Sequence, residues 1–101
     1  MTLRDLVNKA ADRADLSVTN QVAANGLSLL VWTMVEAQQL KLPVGALGII
    51  GEVLKERTGH RYSGGMLRWY RSLLSTDEAR VSRYITLPDE YHLLVRASQA
   101  A

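Results

Sequence analysis

The chain has 101 residues, of which 48% are hydrophobic, and this suits one domain with a single core rather than a disordered chain. It contains no cysteine, which excludes a disulfide framework and thiolate chemistry and fits a reducing compartment such as the cytoplasm. The net charge is only +2, but residues 41–75 carry six basic and two acidic side chains, so we expect the positive potential to concentrate there.

The uncharged stretch from Leu16 to Val35 has the length of a membrane-spanning helix. Seven polar side chains interrupt it, and polar groups are costly in lipid, so we expect no spanning helix here. Charged residues from Arg4 onward precede any apolar run, so we also expect no signal peptide.

The first predicted helix begins at Thr2, which can cap it, and Asp5 suits its first turn. Apolar residues then recur at helical spacing for about three turns. Asn25-Gly26 is a helix-stop signal, so we predict a break or kink there; the alternative is one long helix that tolerates the glycine at about 1 kcal/mol. The stretch from Leu27 to Leu40 is apolar on most sides, which predicts a central helix.

Pro43 sets the boundary before the third predicted helix, because the residue preceding a proline avoids helical angles. This helix should run from about Val44 to Thr58, with Gly59 as its C-terminal stop. A short loop follows, and Ser63 is placed to cap a fourth helix from Gly64 to Leu74.

In the last quarter of the chain the sequence predicts shorter helices and one extended segment. The run from Ser75 to Glu78 has the pattern of a capping box and predicts a short helix over about residues 76–82. Residues 83–87 favour strand geometry and predict a short extended segment, after which Pro88 opens a last helix. We therefore predict an all-α fold: a single domain spanning residues 1–101, with five or six helices around the central one.

Three glycines, Gly45, Gly48 and Gly51, are spaced by three residues in the third helix. They do not form a phosphate-binding loop, since that motif requires a Lys and a hydroxyl directly after the last glycine. We interpret them as small residues that open a groove for close approach of another helix or of a partner.

The two helices between Ala46 and Leu74 carry most of the basic side chains of the middle third. This pair resembles the two-helix core of helix-turn-helix and winged-helix DNA-binding domains, in which the second helix offers basic residues to the major groove. The resemblance implies a small DNA-binding protein that regulates transcription; the alternative is an ordinary helical hairpin with a solvated basic side. The candidate contact residues are Lys55, Arg57, Arg61, Arg68 and Arg71.

A second hypothesis is a protein-interaction module, either an adaptor or an inhibitor that docks on a larger assembly. Its basis is the interleaving of arginine with aromatic residues, because these residue types dominate binding hot spots. The candidate interface residues are Tyr62, Trp69, Arg83 and Tyr84. The run from Arg83 to Glu90 also resembles the strand and helix start of ribbon-helix-helix repressors, although too few residues follow Pro88 for their second helix.

Catalytic signals are weak. His60 and His92 are the only histidines and neither has a partner at ligand spacing, so we expect no metal site, no cofactor and no enzyme activity. The Asp-Glu pairs are typical of helix starts rather than of acid–base catalysis. Because several predicted helices are lined by Ala and Gly, we expect a homodimer.

Overall fold

The computed structural model describes residues 1–100 and folds them into helices joined by short connections, without a strand in that range. This confirms the predicted all-α class and the number of helices. The six helices are α1 (Leu3–Arg13), α2 (Val22–Ala37), α3 (Ala46–Thr58), α4 (Gly64–Thr76), α5 (Glu78–Val81) and α6 (Asp89–Ala100).

The central helix is α2, which packs against α1, α3, α4 and α6. Leu27, Leu30 and Val31 are fully buried, as expected for a helix that is apolar on most of its sides. Its bounds differ from the prediction: it begins at Val22 and ends before Gln38, which adopts a left-handed conformation with φ of 57°. The core therefore forms around α2, with the other elements arranged about it.

The predicted break at Asn25-Gly26 is wrong, because α2 continues through both residues. Gly26 faces α4 and its preceding loop, where a Cβ atom would lie 2.8 Å from Cε2 of Tyr70 and 3.1 Å from Cε2 of Tyr62. Glycine is needed here for close packing rather than for a turn. The cost of a helical glycine is offset by two aromatic rings that pack directly on the α2 backbone.

Asn25 anchors the connection between α1 and α2 and does not end a helix. Its side chain is 1% exposed, donates to the carbonyl of Ser17 at 2.8 Å and accepts from the amide of Asn20 at 3.0 Å. The backbone N–H of Ser17 also donates to the Asn25 Oδ1 at 3.3 Å. A buried amide with its donors and acceptors satisfied holds the loop over the first turn of α2.

Three predicted helix ends are confirmed. Thr2 and Asp5 form a reciprocal capping box at the start of α1. Gly59 ends α3 in a left-handed conformation with φ of 79°. Ser63 caps α4, with its Oγ accepting from the backbone N–H of Met66 at 3.1 Å.

Other ends differ from the prediction. Helix α3 begins two residues later than predicted, because Gly45 turns the chain with φ of 85° and leaves Val44 outside the helix. Ser75 does not cap α5; α4 continues past it, and Asp77 caps α5 by accepting from the backbone N–H of Arg80 at 3.1 Å. Residues 82–84 form turns and 85–88 form no regular element, so the strand of a ribbon-helix-helix protein is not present there.

Within residues 1–100, no helix combines the length and the apolar character needed to cross a membrane.

Candidate nucleic-acid interface

Helix α4 lies at the surface with one face in the core and one face toward solvent. Leu67, Tyr70 and Leu73 are buried, at a spacing of three residues. Arg68, Trp69, Arg71 and Ser72 are exposed on the other side of the helix. The Ser63 cap and this apolar spacing fix α4 as an amphipathic helix whose outer face is polar and basic.

The acidic side chains of α1, α2 and α3 are mostly engaged in ion pairs with basic side chains close to α1. Arg4 pairs with Glu52, and the guanidinium of Arg13 lies 2.8 Å from Glu36 and 2.7 Å from Glu90. These contacts raise the pKa of Arg13, chiefly through the hydrogen bond to Glu36. The charges in this part of the molecule therefore largely neutralise one another.

The remaining cations of the middle third have no acidic partner within 4.0 Å in the described part of the chain. All are exposed, so each presents its full charge to solvent. We call this set the basic face; its members are Lys41, Lys55, Arg61, Arg68 and Arg71.

The basic face lies on both flanks of α4. On one flank, Lys55 and Arg61 line a groove of about 290 Å³ together with Gly51 and Gly64. On the other flank, a cleft of about 510 Å³ is lined by Lys41, Arg68 and Arg71.

Arg68 connects the two flanks. A Cβ atom at Gly64 would lie 3.1 Å from the Arg68 Nη1, so the guanidinium reaches back over the glycine at the start of α4. Arg68 also lines the cleft on the opposite flank. The positive surface is therefore continuous across the N-terminal half of α4.

Arg57, one of the predicted DNA-contact residues, lies beside α1 and not on the flanks of α4. Its guanidinium pairs with the Asp12 carboxylate at 2.7 Å and approaches the carbonyl and side chain of Asn8 at 3.4 Å. It joins α3 to α1 and does not belong to the basic face. Lys41 belongs to the basic face although it lies in the connection between α2 and α3, outside the helix pair that resembles a helix-turn-helix core.

Tyr62, one of the predicted interface residues, is a core residue with little surface that a partner could contact. It is 7% exposed, and its hydroxyl donates to the carbonyl of Val22 at 2.6 Å. Burial and the neighbouring Tyr70 raise its pKa to about 12. Its role is to join the loop before α4 to the first turn of α2.

The other predicted interface residues are accessible. Trp69 is 51% exposed on the outer face of α4, and the guanidinium of Arg80 lies 5.9 Å from its ring centroid. Arg83 is also exposed. Tyr84 lines a separate groove with Trp32. Of the four residues, Trp69 alone lies on α4 itself.

Among residues 1–100, no three His, Asp or Glu side chains are grouped so that they could hold a metal ion. His60 lies in the loop before α4, and His92 lies in α6. Neither a family model, nor a curated protein sequence, nor a solved structure matches the chain. The basic face is therefore the feature of the molecule from which we infer a function.

Proposed function

We propose that the protein binds DNA through the basic face, with α4 as the element that enters the major groove. The observation that carries the proposal is five exposed cations without an ion-pair partner in residues 1–100, grouped on both flanks of one amphipathic helix. DNA is a dense line of negative charge, and affinity for it comes mainly from cations that neutralise phosphates.

The arrangement of α3 and α4 supports a helix-turn-helix-like mode of binding. The two helices are joined by the five residues from Gly59 to Ser63, a looser connection than a tight turn. In this mode Ser72, on the outer face of α4, contacts base edges. The cations on the flanks contact phosphates and set the register of α4 on the duplex.

The proposed biological role is regulation of transcription in the cytoplasm. A homodimer would place two copies of α4 on successive turns of the duplex, as in other helix-turn-helix proteins. Each copy would contribute its own basic face, so the dimer would bind a site with two-fold symmetry.

The test is a double variant, Arg68→Ala with Arg71→Ala, measured for binding to a generic DNA duplex by fluorescence anisotropy. Losing two phosphate contacts should weaken binding and make the slope of log K against log salt less negative by about 1.8. Both side chains are exposed and lack ion pairs within residues 1–100, so the thermal melting curve should be retained.

The matched control is Lys9→Ala with Arg57→Ala, which removes the same charge on the side of the molecule where α1 lies. It should keep the salt slope of the unmodified protein. A double variant at Arg68 and Arg71 that binds as well as the unmodified protein would rule out α4 as the DNA-binding element.

Exposed Trp69 favours a second function, that of a protein-interaction module. Tryptophan and arginine are enriched in binding hot spots, and Trp69 lies beside Arg80 on the outer face of α4. This hypothesis predicts a complex that survives nuclease treatment and is lost in Trp69→Ala. A complex that nuclease dissolves would contradict it and favour the DNA hypothesis.

A further inference from the structure

The cleft on one flank of α4 combines an apolar floor with a rim of hydroxyl and basic groups. Met34, Leu42 and Leu74 form the floor and come from α2, from the α2–α3 connection and from α4. Tyr91 of α6 closes one side. Residues of three helices and a connection line this open cleft, and its volume of about 510 Å³ is within the range of small-molecule sites in proteins.

The charged side chains that line this cleft are of one sign, although the pKa of Tyr91, raised by burial, is raised further by the nearby carboxylate of Glu78. Lys41, Arg68 and Arg71 line the cleft, no acidic side chain of residues 1–100 does, and none of the three cations has an ion-pair partner in that range. The side-chain hydrogen-bond donors of these three cations have no acceptor within residues 1–100, so only solvent satisfies them. An anion on an apolar body would satisfy the donors and cover the floor together.

Neutral donors add to this set. Ser72 lies on the wall that α4 contributes, beside Ser75, whose hydroxyl already donates to the carbonyl of Ser72 at 3.0 Å. Tyr91 is 6% exposed, yet its hydroxyl makes no hydrogen bond within residues 1–100. Since no fully buried side-chain polar atom in that range lacks a partner, this hydroxyl must reach solvent. Tyr91 thus lines the cleft and has a hydroxyl free to donate, as does Ser72.

We propose that the cleft binds a small organic anion, consisting of an apolar body that carries one carboxylate, sulfonate or phosphate group. The apolar body lies on Met34, Leu42 and Leu74, and the anionic group lies between Lys41 and Arg71. This function goes beyond DNA binding and does not depend on it, although Arg68 and Arg71 border both surfaces.

The experiment uses a pair of probes with the same apolar body, of which only one is charged. These are 1-anilinonaphthalene-8-sulfonate and N-phenyl-1-naphthylamine, which lacks the sulfonate. We expect saturable one-to-one binding of the sulfonate, tighter than that of the amine by about tenfold or more, because charge-assisted hydrogen bonds are strong. Backbone amide signals of residues 40–42 and 72–75 should shift in the NMR spectrum.

Two charge-matched variants localise the site. Lys41→Gln with Arg71→Gln should weaken sulfonate binding by about tenfold or more. Lys55→Gln with Arg61→Gln, on the other flank of α4, should leave it unchanged. All four side chains are exposed, so circular dichroism should report an intact fold for both variants.

Three results would each overturn the proposal: no binding of the sulfonate, equal affinity for the neutral amine, or an equal loss in the two variants. NMR shifts confined to residues outside the cleft would do the same. The variant at Lys55 and Arg61 also keeps this test separate from DNA binding, since it removes cations of the basic face without altering the cleft.

Discussion

Gly26 shows how one residue without a side chain determines the packing of this protein. It lies in the second turn of α2, inside the helix, where glycine costs about 1 kcal/mol in helix propensity relative to alanine. The space that a Cβ atom would occupy is taken by the rings of Tyr62 and Tyr70. These rings bring the loop before α4, and α4 itself, into contact with α2.

Gly26→Ala should lower the free energy of unfolding by about 1–3 kcal/mol, because the added methyl group forces apart buried rings that cannot move easily. Urea unfolding at 25 °C measures this directly. The matched control is Gly48→Ala in α3, where a Cβ atom has no neighbour within 4 Å. It should stabilise the protein by up to about 1 kcal/mol. Stabilisation by both substitutions would contradict the packing at Gly26.

The Tyr62 hydroxyl gives a second test at the scale of one residue. Its pKa is raised to about 12 by burial, against an ordinary value of 10.0. The neutral form is thus favoured in the folded protein, so its contribution to stability is complete below pH 10 and is lost as the pH rises toward 12. Burial also raises the pKa values of Tyr70 and Tyr91, so they act in the same direction.

Tyr62→Phe should lower the free energy of unfolding at pH 7 by about 1 kcal/mol, because the hydrogen bond to Val22 is lost. Above pH 10 it should lose stability less steeply than the unmodified protein. Urea unfolding from pH 7 to 11.5, with tyrosinate absorbance at 295 nm, provides the measurement. Identical pH slopes in the two proteins would contradict the buried position of this hydroxyl.

Helix α4 illustrates what could be predicted from the sequence at the scale of an element. Its start at Ser63, its buried residues and its exposed arginines follow from a capping residue and a spacing of three and four. Which arginines are held in long-range ion pairs could not be predicted, because partners such as Arg57 and Asp12 are 45 residues apart. Sequence spacing does not encode such tertiary contacts.

Arg57 and Arg68 should therefore respond oppositely to substitution by alanine. Arg57→Ala removes a partly exposed ion pair between α3 and α1 and should cost about 0.5–1 kcal/mol of stability without changing the salt slope of DNA binding. Arg68→Ala should change stability by less than about 0.5 kcal/mol and make the slope less negative by about 0.9. Urea unfolding measures the stability of both variants, and fluorescence anisotropy measures the salt slope of their DNA binding. A changed slope in Arg57→Ala with an unchanged slope in Arg68→Ala would place Arg57 in the interface.

At the scale of the whole molecule, charge is distributed unevenly. Ion pairs around α1 neutralise most acidic side chains of the first three helices, whereas the cations on the flanks of α4 have no ion-pair partner within residues 1–100. Glu52, which lines the groove with Lys55 and Arg61, pairs with Arg4 instead. The sequence predicted the excess of positive charge in residues 41–75, and it correctly predicted six helices at most. It did not predict that Arg57 leaves this surface and that Lys41 joins it, since the α2–α3 connection acquires its position only from the packed core.

The salt dependence of binding to a generic DNA duplex is the decisive measurement for the basic face as a DNA-binding surface. Five phosphate contacts from the basic face predict a slope of log K against log salt of about −4.5, so affinity should fall roughly 500-fold between about 50 and 200 mM salt. That result would support the basic face as a nucleic-acid surface. Absence of binding at 50 mM salt, or a slope shallower than about −2, would contradict it.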